Sequence, residues 1–399
     1  MSNSLFETKG LLMRKKPLSI AMLIASGVLV SSYVQADNLS TAFTDGKLLG
    51  DFRLRYETND TDNTATKSAE ALTLRSRIGF ETAPVYGMSL LLEGSNTSAV
   101  IDHYAPESIG YDAVADPTDS SINRLQLTYA KDDITAVLGR QRIIFDNARF
   151  IGNVGWRQQE QVYDAMRLGY KLDAVNFQYA FISKVHTPGF DHNDAAHHLI
   201  NIKYDGLDFA TVTGYGYLLK DKEKVSNAQK NNTYGVRFDG KQALDNVNLL
   251  YTAEFAQQKT DNNSANYLLA EAGVMVSGIT ATVGYENLGS DKGNYGFQTP
   301  LATKHAFNGW ADEFGATPND GLNDTYIKLA TKVADVKLLA VYHDYSADEG
   351  SADKGSEVDL QASMDFAKYY SAGIKYAAYS KGDAGLDTDK GWLWIEAKF

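Results

Sequence analysis

The chain has 399 residues, no cysteine and a net charge of −12. An acidic chain lacks the Lys and Arg excess that phosphate backbones require, so nucleic acid is not an expected partner. The missing cysteines exclude a thiol nucleophile, a thiolate metal site and disulfide support.

Arg14, Lys15 and Lys16 precede a mostly apolar run from Pro17 to Val30, and Val34-Gln35-Ala36 follows. That order reads as a secretory signal, so residues 1–36 are expected to be cleaved and 37–399 to form the mature domain. Met13 is an alternative start. The apolar run is short for a membrane span, and nothing later reaches the roughly 20 apolar residues a spanning helix needs.

Beyond the leader, alternation dominates. In Gly50-Asp51-Phe52-Arg53-Leu54-Arg55-Tyr56-Glu57 the odd positions are charged and the even ones apolar or small. Leu72 to Glu81, Leu125 to Tyr129, Tyr234 to Asp239 and Tyr326 to Leu329 repeat the scheme. Abundant tyrosine and scarce proline suit strands. Short turns near 84–86, 131–133, 172–173, 205–207, 240–246, 277–278, 334–335 and 368 separate longer links at 58–69, 99–120, 143–160, 187–195, 220–231, 259–264, 289–321, 346–355 and 381–388. Short and long connections alternate, as on the periplasmic and extracellular rims of an outer-membrane barrel. The expected fold is all-β, a single transmembrane antiparallel β-barrel of about 18 strands, with 16 as the alternative. A soluble sandwich or propeller would not confine its long loops to every second connection.

Parity assigns the faces. A basic side chain facing lipid near the midplane costs about 2–4 kcal/mol, so Arg53, Arg55, Arg75 and Arg77 must face the lumen. Asp51, Glu57, Glu81, Arg124, Arg167 and Arg237 follow by the same parity. Such arginines form a fixed positive field for carboxylate or phosphate solutes, or they pair with neighbouring acids and brace the wall; both can hold.

Two long loops carry apolar residues that a solvated loop would not keep, which points to folding into the pore. The first, 143–160, offers Phe145, Asp146, Arg149, Trp156 and Arg157; the second, 289–321, offers Lys304, His305, Trp310 and Asp312. Both are expected to constrict the pore. His186, His192, His197 and His198 with Asp191 and Asp194 surround another loop, but their spacing matches no fixed metal motif. No metal or cofactor is expected.

Gly139-Arg140-Gln141, then Phe145-Asp146-Asn147-Ala148-Arg149-Phe150-Ile151-Gly152, then Trp156-Arg157-Gln158, resembles the signature of the alginate export family of outer-membrane proteins. Thr299-Pro300-Leu301-Ala302-Thr303, Phe307-Asn308-Gly309-Trp310-Ala311-Asp312 and Gly321-Leu322-Asn323-Asp324-Thr325-Tyr326 fit the later part of that family. The resemblance implies an 18-stranded monomeric barrel in the outer membrane, not an enzyme, with an arginine-rich path for an anionic uronate polymer. It places Arg140, Arg149, Arg157 and Arg167 at the constriction, with Arg75 and Arg77 nearby. A general or uptake porin for small anionic solutes is the alternative; a barrel-embedded enzyme or an adhesin is a more distant one. Export would engage periplasmic secretion or scaffold proteins, whereas uptake would need none.

The chain ends Gly391-Trp392-Leu393-Trp394-Ile395-Glu396-Ala397-Lys398-Phe399. Read as the closing strand, its parity sends Leu393, Ile395, Ala397 and Phe399 to lipid. Trp392, Trp394, Glu396 and Lys398 then face the lumen. The resemblance implies that the terminal Phe is an assembly signal.

Overall fold

A computed structural model describes residues 36–222 and 230–399; the expected signal lies outside the described residues except for Ala36. A short helix α1 (Ala36–Thr44) precedes the strands β1 (Lys47–Thr61), β2 (Ala69–Glu81), β3 (Met88–His103), β4 (Asp119–Lys131), β5 (Ile134–Gln141) and β6 (Val162–Leu172). Then come β7 (Val175–His186), β8 (His192–Leu207), β9 (Ala210–Lys220), β10 (Lys230–Leu244), β11 (Val247–Thr260) and β12 (Ser264–Val276). The last six are β13 (Ile279–Leu288), β14 (Leu322–Val333), β15 (Val336–Ser346), β16 (Asp353–Phe366), β17 (Tyr370–Ser380) and β18 (Thr388–Lys398).

Each strand pairs antiparallel with its sequence neighbours, and β1 also pairs with β18, which closes an 18-stranded barrel. Closure removes the free edges whose unpaired N–H and C=O groups lipid cannot satisfy. The terminal residue takes part, since the Phe399 N–H donates to the Gly50 carbonyl at 3.0 Å and the Gly50 N–H donates back at 2.9 Å. No described helix is long and apolar enough to cross a membrane. The crossing is made by strands.

Register fixes the faces, because a slip of one residue would exchange lumen and lipid sides. Leu54, Ile78, Leu393 and Ile395 are exposed on the outside. Arg53, Arg55, Glu57, Arg75 and Arg77 are buried inside. Arg53 lies opposite both Glu396 and Arg75, Arg55 opposite Trp394, and Glu57 opposite Trp392. Directly opposite residues share a face, so both tryptophans of the last strand point inward, as their parity requires. Such a broad exposed apolar surface would be a liability in water; around a closed barrel it is the lipid-facing belt.

The long connections do not all stay outside. Ile143, Phe145, Phe150 and Ile151 of the 142–161 loop, with Phe297, Leu301 and Trp310 of the 289–321 loop, are buried against wall residues such as Tyr163, Tyr215, Tyr267 and Trp392. The lumen therefore holds a packed apolar core, which explains why these loops keep side chains that water would reject. A third loop, 104–118, contributes a smaller cluster through Tyr104 and Val114, packed on Ala69 and Ala71.

Candidate functional site

The two larger loops join backbone to backbone inside the barrel. The Gly152 N–H donates to the Leu301 carbonyl at 2.8 Å, and the Thr303 N–H donates to the Ala148 carbonyl at 3.0 Å. Gly152 is needed for this approach, since a Cβ there would lie 2.3 Å from Thr303 Oγ1 and 2.9 Å from Thr303 N. Positive φ angles at Asp146, Ala148, Val154, Asn308 and Asp312 belong to the same two loops. A β-branched residue such as Val154 in that region is strained, and only surrounding contacts hold it there.

The wall arginines supply many of those contacts. Arg53 donates to the side chain of Gln158 at 3.0 Å and to the carbonyls of Trp156 and Arg157 at 2.6 and 2.8 Å. Arg55 donates to the Trp156 carbonyl at 2.6 Å and pairs with Asp116 and Glu57. Arg77 donates to the Gln158 carbonyl at 2.9 Å and lies 3.4 Å from Glu160. Arg75 pairs with Asp51 and Glu396. Each guanidinium presents a planar fork of donors that can serve loop carbonyls and carboxylates together.

Arg157 and Arg149 work from the loop side. Arg157 reaches Glu57 at 3.0 Å, Asp312 at 2.7 Å and Asp116 at 3.9 Å, so one side chain joins a strand and three loops. Arg149 reaches Glu286 at 2.7 Å and Asn308 at 2.8 Å. Burial opposes the charge of both, but Glu286 beside Arg149, and Glu57 and Asp312 beside Arg157, raise their pKa values. Burial would push the Glu160 carboxyl up, yet Arg77 and Arg142 hold it near 2. His305 is pushed down to about 3, chiefly by burial. It is therefore neutral at pH 7, with Nδ1 3.0 Å from Asp312 Oδ1 and Nε2 2.9 Å from Lys375 Nζ. Those partners define one tautomer: Nδ1–H donates to Asp312 and Nε2 accepts from Lys375.

Not every expected residue joins this cluster. Arg140 does not face the lumen: it lies opposite Leu125, shares parity with Leu138 (60% exposed), and pairs with Asp164, which also contacts His186. Arg237 is internal but forms a separate knot with Asp239 and Glu254. Arg167 faces inward opposite Val137 and Ala180, and meets no described carboxylate. Arg124 is paired with Glu93 at 2.6 Å. Phe145 and Trp310 are buried, Asp146 holds Asn201 and Lys203, and Lys304 stays exposed. Of the loop histidines, His197 is buried inside and accepts from the Lys220 N–H, whereas His198 contacts Tyr179 and Phe181. The two therefore do not converge.

Sequence reasoning missed Arg142, which pairs with Glu160 at 2.5 Å, and Asp116, Glu160 and Lys375. With Arg142, Asp116 and Glu160 included, the arginines and carboxylates of this part of the wall match in number. Arg53, Arg55, Arg75, Arg77, Arg124, Arg142 and Arg157 face an equal number of carboxylates in Asp51, Glu57, Glu93, Asp116, Glu160, Asp312 and Glu396. These arginines brace the loops at least as much as they charge the lumen.

Beside the braced loops lies a cavity of about 500 Å3. Trp156, Phe307 and Trp310 line it from the loops; Glu271, Glu286, Asp324, Tyr326, Lys328, His343 and Lys375 line it from the wall. Cations, carboxylates and aromatic faces thus surround one chamber, which suits a polar ring-shaped solute better than an apolar one.

Residues 45–286 match the model of the alginate export family, and the chain belongs to that family. A search of curated proteins by sequence finds no match. Among solved structures, OccAB4 of Acinetobacter baumannii is similar at 12% identity and a TM-score of 0.69, over 89% of this chain and 98% of that one. OccK1 (OpdK) of Pseudomonas aeruginosa is similar at 10% identity and 0.71, over 88% and 98%. A structure of OpdK with vanillate gives the same values. Family and fold together make the chain an outer-membrane channel rather than an enzyme.

Proposed function

We propose that this channel passes small, hydroxylated carboxylate solutes, on the scale of short uronates, through the space beside the two inward loops. The chamber of about 500 Å3 carries the reading. Cavities of that order hold roughly drug-sized ligands, which corresponds to a few sugar rings and not a thick polymer strand. Lys328 and Lys375 offer positive charge to a carboxylate, while Glu271, Glu286 and Asp324 can accept from hydroxyl groups. Trp310 and Phe307 offer ring faces. Fixed charges of both signs in a low-dielectric site orient a solute and select it by the arrangement of its polar groups. The similar barrel solved with vanillate, itself a small ring carboxylate, is in keeping with this class of solute.

A second reading is export of a long anionic polysaccharide, and the family description favours it. It requires the loops to withdraw, because Arg157, the Gly152–Leu301 contact and the aromatic core tie them together within the lumen. Reversal potentials across planar bilayers, with glucuronate and longer oligouronates added, separate the two. The small-solute reading expects anion preference and, within open periods, brief current interruptions by glucuronate. Cation preference without interruptions would overturn it.

A further inference from the structure

Lys375 stands on β17, far in sequence from both loops, yet it touches each of them. Its Nζ lies 3.7 Å from the ring centre of Trp310 and 4.3 Å from that of Trp156. It also donates to His305 Nε2 at 2.9 Å. Trp156 belongs to the 142–161 loop, and Trp310 and His305 to the 289–321 loop. His305 and Trp156 lie parallel, 4.9 Å apart between centres. Trp392 closes the group from the wall, 5.7 Å from the ammonium.

The partners of Lys375 are unusual for a buried cation. Asp359 and Asp312 contribute to its electrostatic surroundings, but no described carboxylate lies within ion-pair distance of its Nζ. The arginines nearby, by contrast, are largely committed to acids or carbonyls. A desolvated ammonium among indole faces is held by the ring quadrupoles. A carboxylate carries a full charge and forms a stronger, charge-assisted hydrogen bond. Lys375 also lines the 500 Å3 cavity, so a solute can reach it.

From this arrangement we infer that Lys375 is a pin joining the two inward loops, and that the carboxylate of an entering solute withdraws it and loosens them. The inference rests on the small-anion reading of the channel and adds a gate to it. When the ammonium turns to the solute, Trp156 and Trp310 lose the cation they share, and His305 loses its donor. The loops then keep Arg157–Asp312, Arg149–Asn308, the Gly152–Leu301 and Thr303–Ala148 bonds and their shared apolar packing, but lose the cation that clamps Trp156 to Trp310. The solute would thereby open its own passage.

The test uses the purified full-length barrel in planar bilayers, with glucuronate as the probe and glucose as the uncharged control. Wild type should open at least tenfold more often with glucuronate, and glucose should have no effect. Lys375→Gln should open often in salt alone and ignore glucuronate, whereas Lys375→Arg, which keeps a cation, should retain part of the response. Trp310→Leu removes one π face and leaves the lysine, so it should raise basal opening even if Lys375→Gln fails to assemble. Heat-dependent mobility on denaturing gels reports assembly of each variant. Equal basal opening in wild type, Lys375→Gln and Trp310→Leu overturns the pin. Anion preference with no glucuronate-dependent opening in wild type overturns the pin and leaves the small-anion reading standing. Cation preference overturns the reading itself.

Discussion

Replacing Arg157 with Ala separates a bracing role from a guiding one. Its guanidinium touches Glu57 at 3.0 Å and Asp312 at 2.7 Å, with Asp116 at 3.9 Å, and all are buried or nearly so. Removing it deprives Asp312 of its arginine, leaving His305 as its close partner, and takes one of two counter-charges from Glu57 and Asp116, which keep Arg55. Breaking a buried ion pair by deleting one partner costs about 3–5 kcal/mol. The strand ladder of the barrel is untouched, so the loss falls on loop docking. At about 1.4 kcal/mol per factor of ten, the ratio of docked to undocked loops should fall roughly 100- to 4000-fold. Single-channel recordings should then show larger and noisier conductance, and hydrogen exchange should deprotect residues 142–161 and 289–321 together. The barrel should keep its heat-dependent gel mobility. Unchanged conductance and protection, with anion preference alone reduced, would refute bracing and return Arg157 to a purely guiding role.

Gly152→Val should act in the same direction. Its Cβ would meet the backbone and hydroxyl of Thr303, and overpacking of this kind costs about 1–3 kcal/mol, read as increased loop cleavage in limited proteolysis. Acidification should also loosen the loops. His305 is depressed to about 3 in the folded state, against about 6.5 unperturbed. The unfolded or undocked form therefore binds more protons, so the contribution of neutral His305 is complete above about pH 6.5 and is lost progressively towards pH 3. Conductance noise should rise across that window in wild type and much less in His305→Gln. Arg140→Ala should leave conductance and ion preference unchanged because Arg140 lies on the outer face beside Leu125. Arg142→Ala should alter both, because it uncovers Glu160 inside.

Much of the fold was legible because alternation reports directly which side of a barrel wall a residue occupies. The two inward loops were legible too, since Phe145, Trp156 and Trp310 make no sense in water. Arg140 was misplaced for a physical reason. A motif gives proximity in sequence and no face, and here parity is disturbed by an eight-residue strand, by Gly139 at φ +114° and by an irregular register at Asp164/Ala165. The inward packing of the third loop escaped notice because its residues are mainly small or turn-forming, with no bulky apolar run, and only the buried partners of Asp116 and Tyr104 reveal it. Lys375 could not be singled out from an alternating strand: its importance comes from tryptophans 65 and 219 residues away that meet only in three dimensions.

The size of what passes tests the account most directly. Liposomes containing the barrel can be challenged with uronate oligomers of graded length, and entry followed by swelling rate. Entry should be fast for the monomer, fall steeply beyond roughly three rings, and extend to longer oligomers in Arg157→Ala, whose loops are released. Equal entry of short and long oligomers into wild-type liposomes would contradict a passage set by the two docked loops.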